Sequence, residues 1–237
     1  MSEDTPRSVI EHLEELRWRF VKSAIAIAIG AIVAFIAREW IFDVLARPYR
    51  LALPGQDLNQ FEVTEGFSVA MRLSMFGGLF LASPVLFYQL WAFINPALTK
   101  RERKWTVPVV TALAVLFSSG VAFGYYILPR GLVFLLGIQP GLNAVIGASD
   151  YFGLALRFLL VFGVAFEFPV FIFAAAAAGL VSSRKLGQGR RWAVLIIVIV
   201  GAVVTPTGDP LTLTALSVPL YLLYEATIWL VKLTLHK

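Results

Sequence analysis

Six stretches of this chain are almost wholly apolar: 21–42, 67–94, 105–128, 152–180, 192–205 and 211–233. Breakers and charges gather between them. Arg47-Pro48 and Leu53-Pro54-Gly55 follow the first, 95–104 the second, 129–150 the third, 182–191 the fourth and 205–210 the fifth. A helix rising 1.5 Å per residue needs about 20 residues to cross a hydrocarbon core of ~30 Å. Five of the stretches meet that length. The fifth, 192–205, has 14 residues and reaches only ~21 Å before Thr205-Pro206-Thr207-Gly208-Asp209-Pro210 turns the chain. It is met by tilt or local thinning of the bilayer, or by outward-reaching Arg190, Arg191 and Trp192. The pattern predicts an all-α polytopic membrane protein with six transmembrane helices, forming one integral domain over 1–237.

Composition agrees. Of 237 residues, 59% are hydrophobic and 15% charged, where a soluble domain has nearly half and a quarter. With no cysteine, and only His12 and His236, disulfides, thiolate sites and histidine metal clusters are excluded or nearly so. HExxH, GxSxG and a Walker A loop are absent, so no catalytic set, metal or cofactor is expected. The first apolar stretch follows a mixed-charge tail without a small-residue cleavage site, and reads as a retained span. If the N-terminal tail is cytoplasmic, fourteen Lys and Arg fall on the cytoplasmic side and four on the far side. The positive-inside rule therefore places both termini in the cytoplasm.

Some charges are not explained by topology. Residues 1–15 carry Glu3, Asp4, Glu11, Glu14 and Glu15 against Arg7 alone, where cations usually face anionic headgroups. Apolar residues at 9, 10, 13, 16 and 20 make a helical stripe, so 1–20 reads as an amphipathic cytoplasmic segment leading into the first span. Its carboxylates either form internal pairs such as Glu15–Arg19 or are offered to a cationic ligand. Glu102 is the only carboxylate among four cations in 95–104, and with Glu15 lies next to a span end on the same side. Glu167, in Phe166-Glu167-Phe168-Pro169, falls near the middle of 152–180. A charge there costs ~2.5–3.5 kcal/mol on insertion scales, so it is expected to face protein or water and to mark function. Pro169 is expected to kink the helix. Arg72 and Arg157 lie near outer span ends, where snorkelling accounts for them. Glu225 is either a second polar contact or a partner for Lys232.

These segments together resemble the TatC family, the multispanning signal-peptide receptors of twin-arginine protein translocases. His12-Leu13-Glu14-Glu15-Leu16-Arg17 with Arg19 resembles the family's HLxELRxR motif. Ser83-Pro84 and Tyr88-Gln89-Leu90-Trp91-Ala92-Phe93 are similar to the end of its second span. Pro96-Ala97-Leu98 with Glu102-Arg103-Lys104 resembles its first cytoplasmic loop, and Phe162-Gly163 with Phe166-Glu167-Phe168-Pro169 its fourth-span acidic motif. Thr205-Pro206, Asp209, Pro219 and Leu223-Tyr224-Glu225 are similar to the last hairpin. The sequence departs from the family at Leu213, where Gln is frequent, and by an extra residue around Thr207-Gly208.

The resemblance implies six helices in a cupped, glove-like arrangement with the last two short. It implies a cytoplasmic site in which Glu15 and Glu102, with Leu13, Arg17, Arg19 and Phe93, receive the paired arginines of a signal peptide. Glu167 and Glu225 are then intramembrane polar points where partners dock, and Pro48 and Asp209 belong to the outer side. The implied partners are twin-arginine signal peptides of folded cargo, single-span subunits of the TatA and TatB types, further copies of the chain, and membrane lipid; no nucleic acid is implied. Transport is then driven by the proton-motive force. Three rivals remain at this stage. A proton-coupled transporter needs further ionisable groups near Glu167, and only Glu225 offers itself. An intramembrane enzyme lacks a nucleophile–base set. A purely structural subunit leaves the acidic tail unexplained.

Overall fold

The computed structural model describes residues 9–94, 106–138, 145–177, 179–204 and 209–235. Among these are nine helices: α1 (Val9–Ile36), α2 (Arg38–Ala52), α3 (Glu65–Ile94), α4 (Thr106–Gly137), α5 (Ala148–Ala165), α6 (Phe168–Ala177), α7 (Ser183–Gln188), α8 (Arg190–Val204) and α9 (Pro210–Leu235). Apart from one parallel bridge between Asn59 and Gly147, the described residues form no β-structure.

Five segments are long and apolar enough to cross a membrane: Leu13–Ile36, Glu65–Phe93, Thr106–Gly137, Ala148–Ala176 and Pro210–Thr234. The expected count of six is reached only if α8 is included, and its 15 residues span ~22 Å. The expected shortness of the last two spans holds for α8 but not for α9. With 26 residues, α9 is ~39 Å long and carries Pro219 inside it.

Proline breaks fewer helices than its sequence positions suggest. Pro48 lies inside α2, in a stretch expected to be a loop, and Pro129 lies inside α4, which runs on to Gly137. Where water is absent, a helix retains its backbone bonds on either side of a proline because no other arrangement satisfies them. The fourth span does break. α5 ends at Ala165 and α6 begins at Phe168, with Glu167 in the turn between. Glu167 N donates to Val164 O at 3.1 Å, a tightened turn, and Pro169 has no N–H to extend the ladder. The amphipathic stripe at the N-terminus is helical, as expected, but forms one helix with the first span.

The chain divides into two compact units: Met1–Ile41 with Leu73–Ala114, and Phe42–Arg72 with Val115–Lys237. In the first, α1 and α3 cross at small residues. A β-carbon on Gly30 would stand 2.6 Å from Gly78 O, and one on Gly78 would stand 2.5 Å from Ala31 N. Gly77 meets Ala34 in the same way. Lipid gives helices no hydrophobic reason to associate, so close backbone approach supplies the contact energy.

The second unit repeats the device. Gly120 and Gly124 of α4 and Gly163 of α5 face Phe162 and Phe117 across a tight crossing. Phe158, Phe162, Phe123 and Phe166 continue it as a chain of ring contacts 4.7 to 5.9 Å apart. α6, α7 and α8 pack on α9, and Leu213 fills the space at Gly201, where a β-carbon would come within 2.9 Å of it.

Gly78→Val is expected to abolish the α1–α3 crossing, seen as loss of the monodisperse detergent-solubilised protein. Gly137→Ala, where nothing lies within 4 Å, should leave that profile unchanged.

Candidate functional site

The motif-bearing end of α1 lies in the first unit. Leu13, Leu16, Arg17, Trp18 and Phe20 are exposed, an apolar and cationic surface suited to the membrane interface. Glu15 and Arg19 are different, with side chains only 23% and 21% exposed. Arg19 Nε and Nη2 donate to Glu15 Oε1 at 3.1 and 2.5 Å, and Nη1 donates to Gln89 Oε1 of α3 at 3.3 Å. Phe93 lies one helical turn beyond Gln89, on the same face of α3. Leu13, Glu15, Arg17 and Arg19 thus belong to one short stretch of helix, and Gln89 ties it to the face carrying Phe93. Trp91 Nε1 donates to Thr106 Oγ1 at 3.2 Å, fixing the end of α3 to the start of α4. Glu102 lies outside the described residues.

Glu167 is 3% exposed. Both carboxyl oxygens are sealed from solvent without a hydrogen bond of good geometry; the backbone of Phe117 is the polar group beside it. The carboxyl stands next to the α4–α5 glycine crossing. An apolar groove of about 490 Å³ runs between α5, α6, α8 and α9. Its lining includes Val164, Ala165, Phe168 and Pro169, on both sides of Glu167 but not Glu167 itself.

Glu225 does not turn to Lys232. Arg190 Nε and Nη2 donate to its Oε1 and Oε2 at 2.6 and 2.8 Å, and the Tyr221 hydroxyl donates to Oε1 at 2.9 Å. Lys232 lies over the Trp229 ring instead, 5.6 Å from its centroid. A two-pronged guanidinium–carboxylate contact of this kind fixes orientation as well as charge. It joins the start of α8 to α9, and the Tyr224 hydroxyl adds a bond to Leu186 O at 2.8 Å.

Asp209 and Pro48 are structural in this geometry. Asp209 precedes Pro210, the first residue of α9, and its Oδ1 accepts from Thr212 N at 2.8 Å. An Asp cap followed by Pro at the first helical position is a strong helix start. Pro48 is buried inside α2 and cannot donate to Val44 O. The Tyr125 hydroxyl donates to that carbonyl at 2.7 Å, and the Tyr151 hydroxyl to the neighbouring Leu45 O at 2.6 Å. Two tyrosines thus cover the backbone acceptors beside the proline. Tyr49 packs edge-on against Tyr151 at 5.2 Å; burial, and then the Asp57 carboxylate, push its phenol up from the ordinary value.

Glu65 is a buried carboxylate that sequence reasoning did not single out. It accepts from Phe61 N at 2.6 Å, Glu62 N at 3.3 Å and Ser149 N at 2.6 Å, closing the start of α3 and the start of α5 together. Arg72 completes the junction through Ser149 O at 3.1 Å and Ser149 Oγ at 2.9 Å, rather than only snorkelling. An acidic residue one position before Gly66 and an apolar run is the signal that marks it, since helix N-termini favour carboxylates.

The family model of the Sec-independent protein translocase protein (TatC) matches residues 11–219. The chain belongs to the TatC family. Among its relatives, TatC of Koribacter versatilis is 37% identical over 226 residues, covering 93% of this chain and 83% of the relative. TatC of Aquifex aeolicus is 35% identical over 231 residues, covering 96% and 95%. Two solved structures of the twin-arginine translocase receptor TatC superpose with TM-scores of 0.78 and 0.81. Their sequence identities are 34% and 33%, and they cover 94% and 93% of this chain. This TatC-family chain is therefore a membrane component of a protein translocase, a transport function rather than an enzymatic one.

Tyr151→Phe should lower stability by about 1 kcal/mol, the size of a buried hydrogen bond within a membrane protein. Thermal unfolding in detergent, with Tyr125→Phe run beside it, measures the effect.

Proposed function

We propose that this TatC-family chain is the receptor at which a twin-arginine translocase reads the signal peptide of folded cargo. In this reading the paired arginines are received at Glu15 and Glu102 on the cytoplasmic face, with Leu13, Arg17 and Phe93 alongside. The observation that carries it is the contact at Glu15. A carboxylate about three-quarters buried is already gripped by a guanidinium through two N–H donors, so its surroundings suit that chemistry. A guanidinium is always charged and presents a fixed planar fork, which a lysine cannot imitate. Exposed ion pairs contribute only ~0.2–1 kcal/mol each, so affinity must also come from the peptide's apolar stretch against lipid and the exposed side chains of α1.

The same proposal includes the topology. Fourteen cations against four support a plasma-membrane protein with both termini in the cytoplasm, with α8 as a sixth span short enough to tilt or thin the bilayer. Single-span subunits of the TatA and TatB types, and further copies of the chain, assemble around the region of Glu167. A carboxyl buried at that depth without a well-made hydrogen bond supports a polar role there, to which an arriving helix gains access only by local rearrangement. The proton-motive force supplies the energy.

Glu15→Gln and Glu102→Gln, singly and together, are expected to reduce photocrosslinking to a peptide bearing two arginines before an apolar stretch, with expression and insertion normal. Full crosslinking to the double variant would remove the receptor site. Glu167→Ala is expected to disturb copurification of single-span subunits while peptide crosslinking persists. The opposite order would mean the two roles are exchanged.

A further inference from the structure

A guanidinium already occupies the Glu15 carboxylate, and it comes from the chain itself. All three nitrogens of Arg19 are engaged, Nε and Nη2 on Glu15 Oε1 at 3.1 and 2.5 Å and Nη1 on Gln89 Oε1 at 3.3 Å. An ordinary i,i+4 pair on a helix surface needs no second helix. Here the amide of Gln89 in α3 holds the far side of the guanidinium, and both side chains are more than three-quarters covered. The arrangement resembles a filled binding site more than a solvated face.

We propose that Arg19 is an internal placeholder for an incoming arginine, a guanidinium that the peptide must displace from Glu15 and that sets the affinity threshold of the site. The inference rests on the reading of Glu15 as a receptor carboxylate. Because the carboxylate is occupied at rest, a ligand is measured against a competitor and not against water. A second guanidinium can replace the first fork for fork. A lysine ammonium is a compact, strongly hydrated point charge, and cannot restore the two-donor contact it would have to break. Displacing the same internal contact costs every cationic peptide the same factor, so occupation sets a threshold that the two-donor contact of an arginine clears and the weaker contact of a lysine does not. Gln89 sets how firmly the placeholder sits, and it also receives Arg19 when Glu15 is taken.

The full-length protein in nanodiscs tests this with two fluorescent peptides, one carrying two arginines before an apolar stretch and one carrying two lysines in their place. Arg19→Gln is expected to tighten the arginine peptide about three- to ten-fold, the scale of one partly covered charged contact. It should tighten the lysine peptide by the same factor, so that the ratio of the two affinities stays unchanged. Arg19→Lys should lie between the two proteins, and Gln89→Leu should tighten both peptides by less. Weaker or unchanged binding of either peptide to Arg19→Gln, or a changed ratio, overturns the placeholder role. Glu15→Gln separates that failure from a failure of the receptor reading. If Glu15→Gln weakens the arginine peptide while Arg19→Gln does too, the receptor site stands and Arg19 is part of it. If Glu15→Gln changes nothing, the receptor reading itself falls.

Discussion

In hydrocarbon a polar group without a partner has no water to fall back on, and that constraint orders most of this structure. The second unit shows it in detail. Pro48 leaves the Val44 carbonyl without its helical donor, and a tyrosine hydroxyl from α4 supplies one, while a tyrosine from α5 reaches the next carbonyl. Glu65 gathers three backbone N–H groups from two helix starts. Asp209 caps α9 before it enters the apolar region. Each of these looks local in sequence, yet the first two tie separate helices together, so polar satisfaction does part of the work that hydrophobic packing does in water. Glycine crossings do the rest, by letting backbones approach where side chains would hold them apart.

Against that background the fork contact between arginine and carboxylate is used twice for different ends. Arg190 grips both oxygens of Glu225 and Tyr221 adds a donor to one of them, which gives the junction of α8 and α9 a fixed geometry. At Glu15 both donors of Arg19 converge on one oxygen, and the third nitrogen is spent on Gln89. The first arrangement matches each donor to its own acceptor, the shape expected of a joint. The second divides a single guanidinium between two helices, which is easier to exchange because no acceptor holds both prongs on separate oxygens.

Much of this was legible in the chain, and the limits have physical causes. Length and apolarity placed five spans, and showed that 192–205 is short, because lipid thickness imposes a length that sequence can be counted against. Glu167 is visible because a carboxylate inside 152–180 is costly in lipid and stands out against its apolar neighbours. Pro48 and Pro129 were read as breakers, which is the rule in water; inside a bundle a neighbouring hydroxyl can replace the missing donor, and no single-chain pattern announces that Tyr125 and Tyr151 will arrive from elsewhere. Helix α2 went unseen for the same reason. For Glu225 the sequence offers either a second polar contact or a pair with Lys232, its neighbour along α9, whereas its partner Arg190 is 35 residues away in sequence. Long-range pairs of this kind depend on which helices pack, and periodicity gives only which face each helix offers.

Glu167 sits buried at the break in its span. Its span unwinds at Phe166 and Glu167, so the turn has already given up a regular backbone bond, and Pro169 prevents the ladder from closing. A stabilising side-chain network could offset that loss, but both carboxyl oxygens lack a well-made bond. Two unfavourable features at one point of a membrane span, a broken ladder and an orphaned carboxyl, add on the unpartnered chain, since neither relieves the other. A buried polar group left unsatisfied costs ~1–3 kcal/mol, so the span carries at this turn a cost that its apolar neighbours Val164, Ala165, Phe168 and Pro169 do not relieve.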